Sequence, residues 1–307
     1  MWCIVVHGGA GQWSEREKFS SVEYAILKSL KAGASILESG GSALDAVVNS
    51  VMVLEDSGVL NAGLGSYPNL VGEIEMDAGV MDGKSLRAGA VGCIRNVKNP
   101  VLAAKLVLEK TDHVLLVGEW ASKFAASMGV PVFDFDRSIR LPKYMDLVRK
   151  FDEGNTRYKS NLKLYKQYPH LFHETVGAVA LDCEGNLASA TSTGGLALKL
   201  PGRVGDSPLI GAGTYADKNI AVSSTGVGEY IILLGVGIRA SIYAENGFTA
   251  KEVAEKLVQL LTLKFGENSG GLIALDKNGS IGISYNTPGM ARGYFSSEMS
   301  EPTVMVP

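Results

Sequence analysis

The chain has 307 residues, which is long enough for one large domain or two ordinary ones, each with a substantial core. Its 29 basic and 32 acidic residues give a net charge of -3 at pH 7, so no basic field favours nucleic acid, and the expected partner is a small molecule. Three widely spaced cysteines without a CxxC pair argue against a zinc knuckle or a disulfide framework and are typical of a reducing cytoplasm.

The sequence predicts neither a signal peptide nor a membrane span. The chain begins MWCIVVHGG, has no basic residues there, and its apolar run stops at His7, so this segment is predicted to be a strand. The apolar run over residues 230–238 is only about half as long as a bilayer span. We therefore expect a globular protein of the cytoplasm that binds no membrane.

The first half of the chain is predicted to contain both helices and strands. A strand over residues 3–6 is followed by a helix over 20–38, where apolar side chains recur at four-residue spacing. Ser42 is predicted to cap a second helix over 43–56, which is apolar around most of its circumference and therefore buried. The remaining predicted elements are strands over 73–80 and 85–94, a helix over 100–110, a buried strand over 113–118 and a helix over 119–128.

The second half repeats this order of strands, helices and strands. Its predicted elements are a hairpin of strands over 176–182 and 187–192, a strand over 220–224, helices over 229–245 and 250–264, and strands over 271–276 and 280–285. Two sheets packed face to face, with helices on each outer side, satisfy this order because every sheet face is then covered. Residues 151–174, between the halves, are polar and aperiodic and are predicted to form an exposed linker.

Several familiar motifs fail in detail. No GxSxG or HExxH motif occurs, and the run GVMDGKS over residues 79–85 has too few residues between its glycines for a phosphate loop and precedes a predicted strand. GAGTYA, over 211–216, fits a loose dinucleotide pattern, but no helix is predicted after it. Of the four histidines, His113 is expected to be structural, at the start of a buried strand, and His170 and His173 lie in the predicted linker.

The stretch HETVGAVALDCEGNLASATSTGG places Glu174 and Thr175 at the mouth of a predicted strand that is buried on both faces. Thr175 could be an ordinary β-branched first residue of that strand. As a nucleophile it would need a base, and we predict no histidine nearby. An α-amine on Thr175 itself could be that base, but only if the bond after Glu174 is cleaved. Such cleavage would explain why an exposed linker ends abruptly at a buried strand.

Five ordered segments resemble the plant-type asparaginases and isoaspartyl peptidases, which are N-terminal-nucleophile hydrolases. They are IVVHGGAG, LNAGLGSYPNLVGEIEMDAGVMDG, TVGAVALDCEGNLASATSTGG, KLPGRVGDSPLIGAGTYAD and SSTGVGE, and they extend over nearly the whole chain. The resemblance implies a single domain over residues 1–307 with a four-layer αββα sandwich. It also implies self-cleavage into an α subunit, 1–174, and a β subunit, 175–307, and association into a dimer of αβ units.

The resemblance also implies roles for individual residues. Thr175 is similar to the nucleophile, and Thr193 to the hydroxyl that orients it. Arg203 and Asp206 match the groups that hold the substrate carboxylate and amine, as charge complementarity would require. The remaining matches are Thr225 and Gly226 as the oxyanion hole, Gly228 as a main-chain contact, Asn61 as a support, and a sodium loop of carbonyls from Leu54, Glu55, Ser57, Leu60, Ala62 and Leu64.

We therefore predict an amidohydrolase that requires no cofactor and releases aspartate from L-asparagine and from β-aspartyl dipeptides. Relatives place glycine or aspartate before the nucleophile, so the larger Glu174 predicts slower self-cleavage at the same bond. A glycosylasparaginase is disfavoured by the missing signal peptide and disulfide cysteines, and a taspase-like endopeptidase by the short linker. From another class, a nucleotide-binding protein with glycine loops remains an alternative; it would stay one chain.

Overall fold

The fold is described by a computed structural model for residues 1–13, 16–135, 142, 144–145 and 175–307. The predicted linker over 151–174, including Glu174 and the two histidines, lies outside these residues. Within them the chain is a mixed α/β protein. The strands are β1 (Cys3–Gly11), β2 (Met76–Asp82), β3 (Arg87–Ile94), β4 (Leu115–Val117), β5 (Val176–Leu181), β6 (Leu187–Thr193), β7 (Thr214–Ala216), β8 (Ile220–Gly226), β9 (Gly270–Asp276), β10 (Ile281–Tyr285), β11 (Gly289–Ser296) and β12 (Thr303–Met305).

These strands form two sheets. The larger has the order β12-β11-β1-β5-β6-β2-β3-β4, and the smaller has the order β10-β9-β8-β7. Neighbouring strands are antiparallel except β3 and β4, which are parallel. The predicted hairpin of β5 and β6 thus lies in the middle of the larger sheet, with β1 on one side and β2 on the other.

The helices follow the predicted pattern in most places. Ser42 caps the second helix as predicted, because its Oγ accepts a hydrogen bond from the Asp45 N–H at 3.1 Å. The helices are α1 (Phe19–Glu38), α2 (Ala43–Asp56), α3 (Pro100–Lys110), α4 (Gly118–Ser127), α5 (Gly228–Leu234), α6 (Val236–Glu245) and α7 (Ala250–Phe265).

Three apolar clusters join these elements. One, around Ile26, packs α1 to α4 on the larger sheet. The second, around Val179, lies between the two sheets, and the third, around Leu257, packs α5 to α7 on the smaller sheet. β5 and β6 are buried along their whole length, as we predicted for a strand covered on both faces. The site-bearing strands are therefore held from both sides.

Two predicted elements are wrong. The segment over 113–118, predicted as a buried strand, contains the edge strand β4, in which Val117 is 54% exposed, and His113 is exposed too. An apolar run shows that a strand is favourable but not whether another layer covers it. The single helix predicted over 229–245 is divided into α5 and α6, because Gly235 adopts a left-handed conformation with φ of +59°.

The sequence pattern also missed strands. β7, β11 and β12 were not predicted, and β1 continues beyond the predicted strand through HGGAG to Gly11. The pairing of β1 with β11 shifts in register between His7 and Ala10, where Gly9 has φ of +103°. The glycines of this segment therefore mark an irregularity within the strand and not its end. Among the helices in the described part of the chain, none has the length and apolar character of a membrane span.

Candidate active site

Thr175 and Thr193 lie side by side in the larger sheet. Val176 is paired with Ser192, so the antiparallel register of β5 and β6 brings the preceding and following threonines opposite each other. The Thr175 hydroxyl donates to Thr193 Oγ1 at 3.4 Å, and both side chains are more than nine-tenths buried. The Gly195 N–H donates to the same Thr193 Oγ1 at 2.9 Å, which fixes the orientation of that hydroxyl.

Asn61 supports the segment that follows Thr193. Its Nδ2 donates to the Gly195 carbonyl at 2.6 Å, and its own main-chain carbonyl accepts from the Gly194 N–H at 2.9 Å. Its Oδ1 accepts from the Tyr67 N–H at 2.9 Å, so two polar groups of Asn61 bind the segment after Thr193 and a third ties it to Tyr67. This buried amide is therefore well placed to hold the threonine pair.

Arg203, Asp206 and Gly228 converge at a second cluster. Asp206 is 4% exposed and the Arg203 side chain 16%, so these residues are not a solvated surface pair. A Cβ on Gly228 would lie 2.8 Å from Asp206 Oδ1 and 2.9 Å from Arg203 Nη2. A bare main chain is thus required where the two opposite charges meet.

Burial makes the Asp206 carboxyl harder to ionise than an exposed one. Desolvation raises its pKa to about 7, although the nearby Arg203 guanidinium favours the ionised form. Asp206 Oδ2 is buried and has no hydrogen-bond partner within the described residues. An unsatisfied buried carboxylate oxygen beside a guanidinium suits a ligand that carries both a cation and an anion.

Glu229 is a site residue that our sequence reasoning missed. Arg203 donates to Glu229 Oε1 from both Nε, at 3.0 Å, and Nη2, at 2.9 Å. The only sequence signal was its place as the last residue of SSTGVGE, a segment that we interpreted through its threonine and glycines. Glu229 orients the guanidinium, and its own side chain is 43% exposed.

Two acidic residues of the EIEMDAG segment anchor the loop that carries Arg203. Glu75 Oε2 accepts from the Gly202 N–H at 3.0 Å, and Asp77 Oδ2 accepts from the Gly205 N–H at 3.1 Å. Asp77 is also the strand partner of Thr193 in the pairing of β2 with β6. The Arg203 loop is therefore tied to the strand next to the threonine pair.

Thr225 and Gly226 lie at the end of β8, in the smaller sheet. The Thr225 Oγ1 accepts from the Ala10 N–H at 3.1 Å, which leaves its own proton available for donation. Ala10 lies beyond His7 in β1, and the pairing of His7 with Gly177 puts this end of β1 beside the start of β5. Gly226 has φ of +138°, and a Cβ there would lie 2.4 Å from the Gly270 Cα, so a side chain is excluded.

The predicted sodium loop extends from the end of α2 to the turn after it. Its main-chain carbonyls are close to bare glycines: a Cβ on Gly65 would lie 1.8 Å from the Leu60 oxygen, and one on Gly63 2.7 Å from the Glu55 oxygen. The Glu55 carboxyl is buried, which raises its pKa to about 8, and it accepts from the Val101 N–H at 3.0 Å. Over the described ranges no cluster of His, Cys, Asp and Glu could hold a metal ion.

Our expectation that no histidine lies near Thr175 is wrong. His7 is paired with Gly177 across β1 and β5, only two residues after Thr175. Its Nε2, however, is 2.9 Å from Ser223 Oγ, and no hydrogen bond joins the imidazole to the Thr175 hydroxyl. Sequence distance hid this contact, because β1 and β5 are adjacent only after folding.

The rejected nucleotide motifs stay rejected. The run over residues 79–85 lies in β2 and the turn after it, and β3 follows. GAGTYA leads into the strand β7, so neither glycine pattern opens a helix that could bind phosphate. The described site instead offers paired hydroxyls, one guanidinium and a buried carboxyl, a set that suits acyl transfer on a small zwitterion.

Comparison with known proteins gives a consistent result. The sequence profile of a family described as asparaginase matches residues 1–305. A plant-type L-asparaginase of Pyrococcus abyssi is 43% identical over 98% of this chain and 99% of its own length, and one of Pyrococcus furiosus is 44% identical over the same shares. An isoaspartyl peptidase/L-asparaginase of Mus musculus is 45% identical over 90% of this chain and 82% of its own length. These matches confirm the resemblance that five sequence segments had indicated.

Proposed function

The chain belongs to the asparaginase family, and from this membership we propose that it is an amidohydrolase that releases L-aspartate from L-asparagine and from β-aspartyl dipeptides. The observation that carries the proposal is the buried Thr175–Thr193 hydroxyl pair, with the Arg203 loop tied to the strand beside it. Two hydroxyls supply a nucleophile and its orienting partner, and the loop supplies charges for an α-amino acid.

Maturation in this proposal begins with the Thr175 hydroxyl. Its oxygen attacks the carbonyl of residue 174, the peptide bond becomes an ester, and water opens the ester to leave a free α-amine on Thr175. That amine, with an unperturbed pKa of about 7.7 to 8.0, can take the hydroxyl proton at neutral pH. The cleaved chain therefore contains both nucleophile and base in one residue.

In hydrolysis, Thr175 Oγ1 attacks the side-chain amide carbon of the substrate. The Thr225 hydroxyl and the Gly226 N–H stabilise the oxygen that becomes negative, and the amine leaves after it receives a proton. Arg203 binds the substrate α-carboxylate, while Asp206 and the main chain at Gly228 hold the α-ammonium. Water then attacks the ester between aspartate and Thr175, releases aspartate and restores the hydroxyl.

Purified wild-type protein tests this function directly. We expect ammonia and aspartate from L-asparagine, and aspartate from a β-aspartyl dipeptide. Intact mass spectrometry should find two fragments, residues 1–174 and 175–307, whose summed mass is that of the chain plus one water. A preparation that hydrolyses neither substrate after full cleavage would contradict the proposed function.

The domain architecture, the assembly and the expected compartment complete the proposal. We propose one four-layer αββα domain over 1–307, with the two sheets as inner layers. A pair of αβ units would cover exposed apolar residues along β4 and α4, such as Val117 and the 74% exposed Trp120. The described cysteines are all free, which suits the cytoplasm. No nucleic acid, membrane or required cofactor takes part.

We propose a structural sodium ion in the loop that follows α2, held by the carbonyls of the six residues predicted above. The bare Gly63 and Gly65 support this, because they let the chain fold closely around the Glu55 and Leu60 carbonyl oxygens. We expect a higher Tm in sodium chloride than in tetramethylammonium chloride at the same concentration. Equal Tm values would argue against the ion.

The pKa of Asp206 predicts how substrate binding depends on pH. The substrate ammonium needs the ionised Asp206 carboxylate, and burial raises the pKa of this carboxyl to about 7 when no substrate is bound. The KM for L-asparagine should therefore rise about tenfold for each pH unit below that value. Because the neutral form is favoured only in the folded state, the same carboxyl should also make the unliganded fold less stable as pH rises from about 4 to 7.

Asp206→Asn is the matched control for this prediction. It should raise the KM at every pH and remove its dependence below pH 7, because no proton is then displaced on binding. KM values between pH 5 and pH 8 check both expectations. A wild-type KM that stays flat across this range would assign the substrate ammonium to another group.

A further inference from the structure

A chain of buried polar side chains joins the two sheets next to the nucleophile. His7 Nε2 lies 2.9 Å from Ser223 Oγ, and Ser223 Oγ lies 2.7 Å from Thr191 Oγ1. All three residues are fully buried, in a layer whose other members are mostly apolar. The residues come from β1, β8 and β6, so this chain spans both sheets.

The His7 end of this chain lies beside the start of β5. His7 is the strand partner of Gly177, which lies two residues after Thr175, and its Nδ1 has no hydrogen-bond partner among the described residues. Gly177 makes room for this arrangement. A Cβ there would lie 2.0 Å from Ser223 Oγ and 2.5 Å from His7 Nε2.

The same geometry argues against a direct proton-transfer role. The imidazole hydrogen-bonds to Ser223 and not to the Thr175 hydroxyl, whose partner is Thr193. Complete burial lowers the pKa of His7 to about 3, so the ring is neutral at any physiological pH and is a poor base. A purely structural link would be served as well by an apolar side chain, without an unsatisfied ring nitrogen in the core.

We propose that His7 is a positioning residue, whose neutral imidazole lies against Gly177 and is held by Ser223, so that it fixes the start of β5 and thereby aims the Thr175 hydroxyl, and after cleavage the α-amine, at the reacting carbonyl. Ser223 and Thr191 fix the imidazole in turn. The inference rests on the proposed function, because it assigns Thr175 as the nucleophile. It predicts effects on the rates of self-cleavage and turnover, but not on substrate affinity, since Arg203, Asp206 and Gly228 are not in this chain.

Three variants of the polar chain test the inference. His7→Leu removes the hydrogen bonds at similar volume, His7→Gln can place an amide near Ser223, and Ser223→Ala breaks the chain without a change in β1. For His7→Leu we expect self-cleavage and kcat to fall about tenfold to a hundredfold, with the KM for L-asparagine within about twofold of wild type. Ser223→Ala should lower self-cleavage and kcat by a smaller factor, and His7→Gln should retain most of the wild-type rates.

Ser29→Ala is a matched control for loss of a buried hydroxyl. Ser29 and Ser50 exchange hydrogen bonds of 2.9 Å each between α1 and α2, in the helical layer. This variant should lower the Tm without changing kcat. If it lowers kcat as much as Ser223→Ala at a similar loss of Tm, His7 has only a structural role.

The remaining outcomes are also decisive. A kcat pH profile whose acidic limb disappears in His7→Gln would make His7 a base and overturn the inference, because positioning leaves the apparent pKa of that limb unchanged. Wild-type rates in both His7→Leu and Ser223→Ala would overturn it as well. If His7→Leu does not fold, Ser223→Ala and His7→Gln decide. A wild-type enzyme without activity on L-asparagine would instead contradict the proposed function.

Discussion

Thr175→Ala is expected to remain a single chain of 307 residues and to lose hydrolysis of both substrates. The change removes the oxygen that attacks the preceding carbonyl, so no ester forms and no α-amine is released. Activity on L-asparagine should fall by a factor on the order of 10⁴ or more, since nucleophile and base are lost together. Gel electrophoresis, intact mass and ammonia release measure cleavage and activity on the same sample.

Thr175→Ser is the matched control, because it keeps a hydroxyl at the same position. It should cleave and hydrolyse, at lower rates, as the missing methyl group loosens its packing at the mouth of β5. Glu174→Gly should cleave faster than wild type if the larger side chain slows attack on its carbonyl. A wild type that stays whole through long incubation and yet hydrolyses L-asparagine fully would rule out an N-terminal nucleophile.

The same experiment separates the alternative class. A nucleotide-binding protein would remain one chain and would be stabilised by nucleotide, with Tm rising as ligand is added. Neither GVMDGKS nor GAGTYA opens a helix in the structure, so we expect no such shift. One melting series with adenosine triphosphate therefore distinguishes a phosphate-binding protein from a hydrolase.

Local patterns predicted those parts of the site that depend on one segment or one hairpin. Thr175 and Thr193 lie at the open end of one hairpin whose two strands were predicted from the sequence, although the role of Thr193 came from the family resemblance. Arg203 and Asp206 stood out as opposite charges in a loop without a helical or strand period. Such features need no knowledge of how distant elements pack.

The features that we missed depend on contacts between distant segments. His7 reaches Ser223 across 216 positions of the sequence, and neither the predicted strand nor the family resemblance gave His7 a role. Glu229 reaches Arg203 only because α5 begins beside the Arg203 loop. The exposure of β4 depends on which strand ends the sheet, and residue composition cannot show that. Tertiary packing, which a single sequence does not encode locally, accounts for each miss.

Arg203→Lys is expected to weaken substrate binding strongly while the protein still folds and cleaves itself. The guanidinium donates to Glu229 from two nitrogens, so it is held as a planar fork, and lysine keeps the charge but not this geometry. Loss of a buried charged contact typically costs about 2 to 5 kcal/mol, and we expect a rise in KM of that size. Steady-state kinetics with L-asparagine and the fraction of cleaved chain, measured together, check both parts.

Arg239→Lys is a suitable control, because Arg239 is exposed and its side chain donates to the Leu234 carbonyl, far along the chain from Arg203. It should leave the KM unchanged. If Arg203 and Asp206 hold the substrate as proposed, they fix the distance from its α-carbon to the reacting carbonyl, so glutamine, which is one carbon longer, should not reach Thr175. Ordinary α-aspartyl dipeptides lack the free α-carboxylate and should fail for that reason. Equal rates on α- and β-aspartyl dipeptides, or a normal KM in Arg203→Lys, would show that the substrate carboxylate is bound elsewhere.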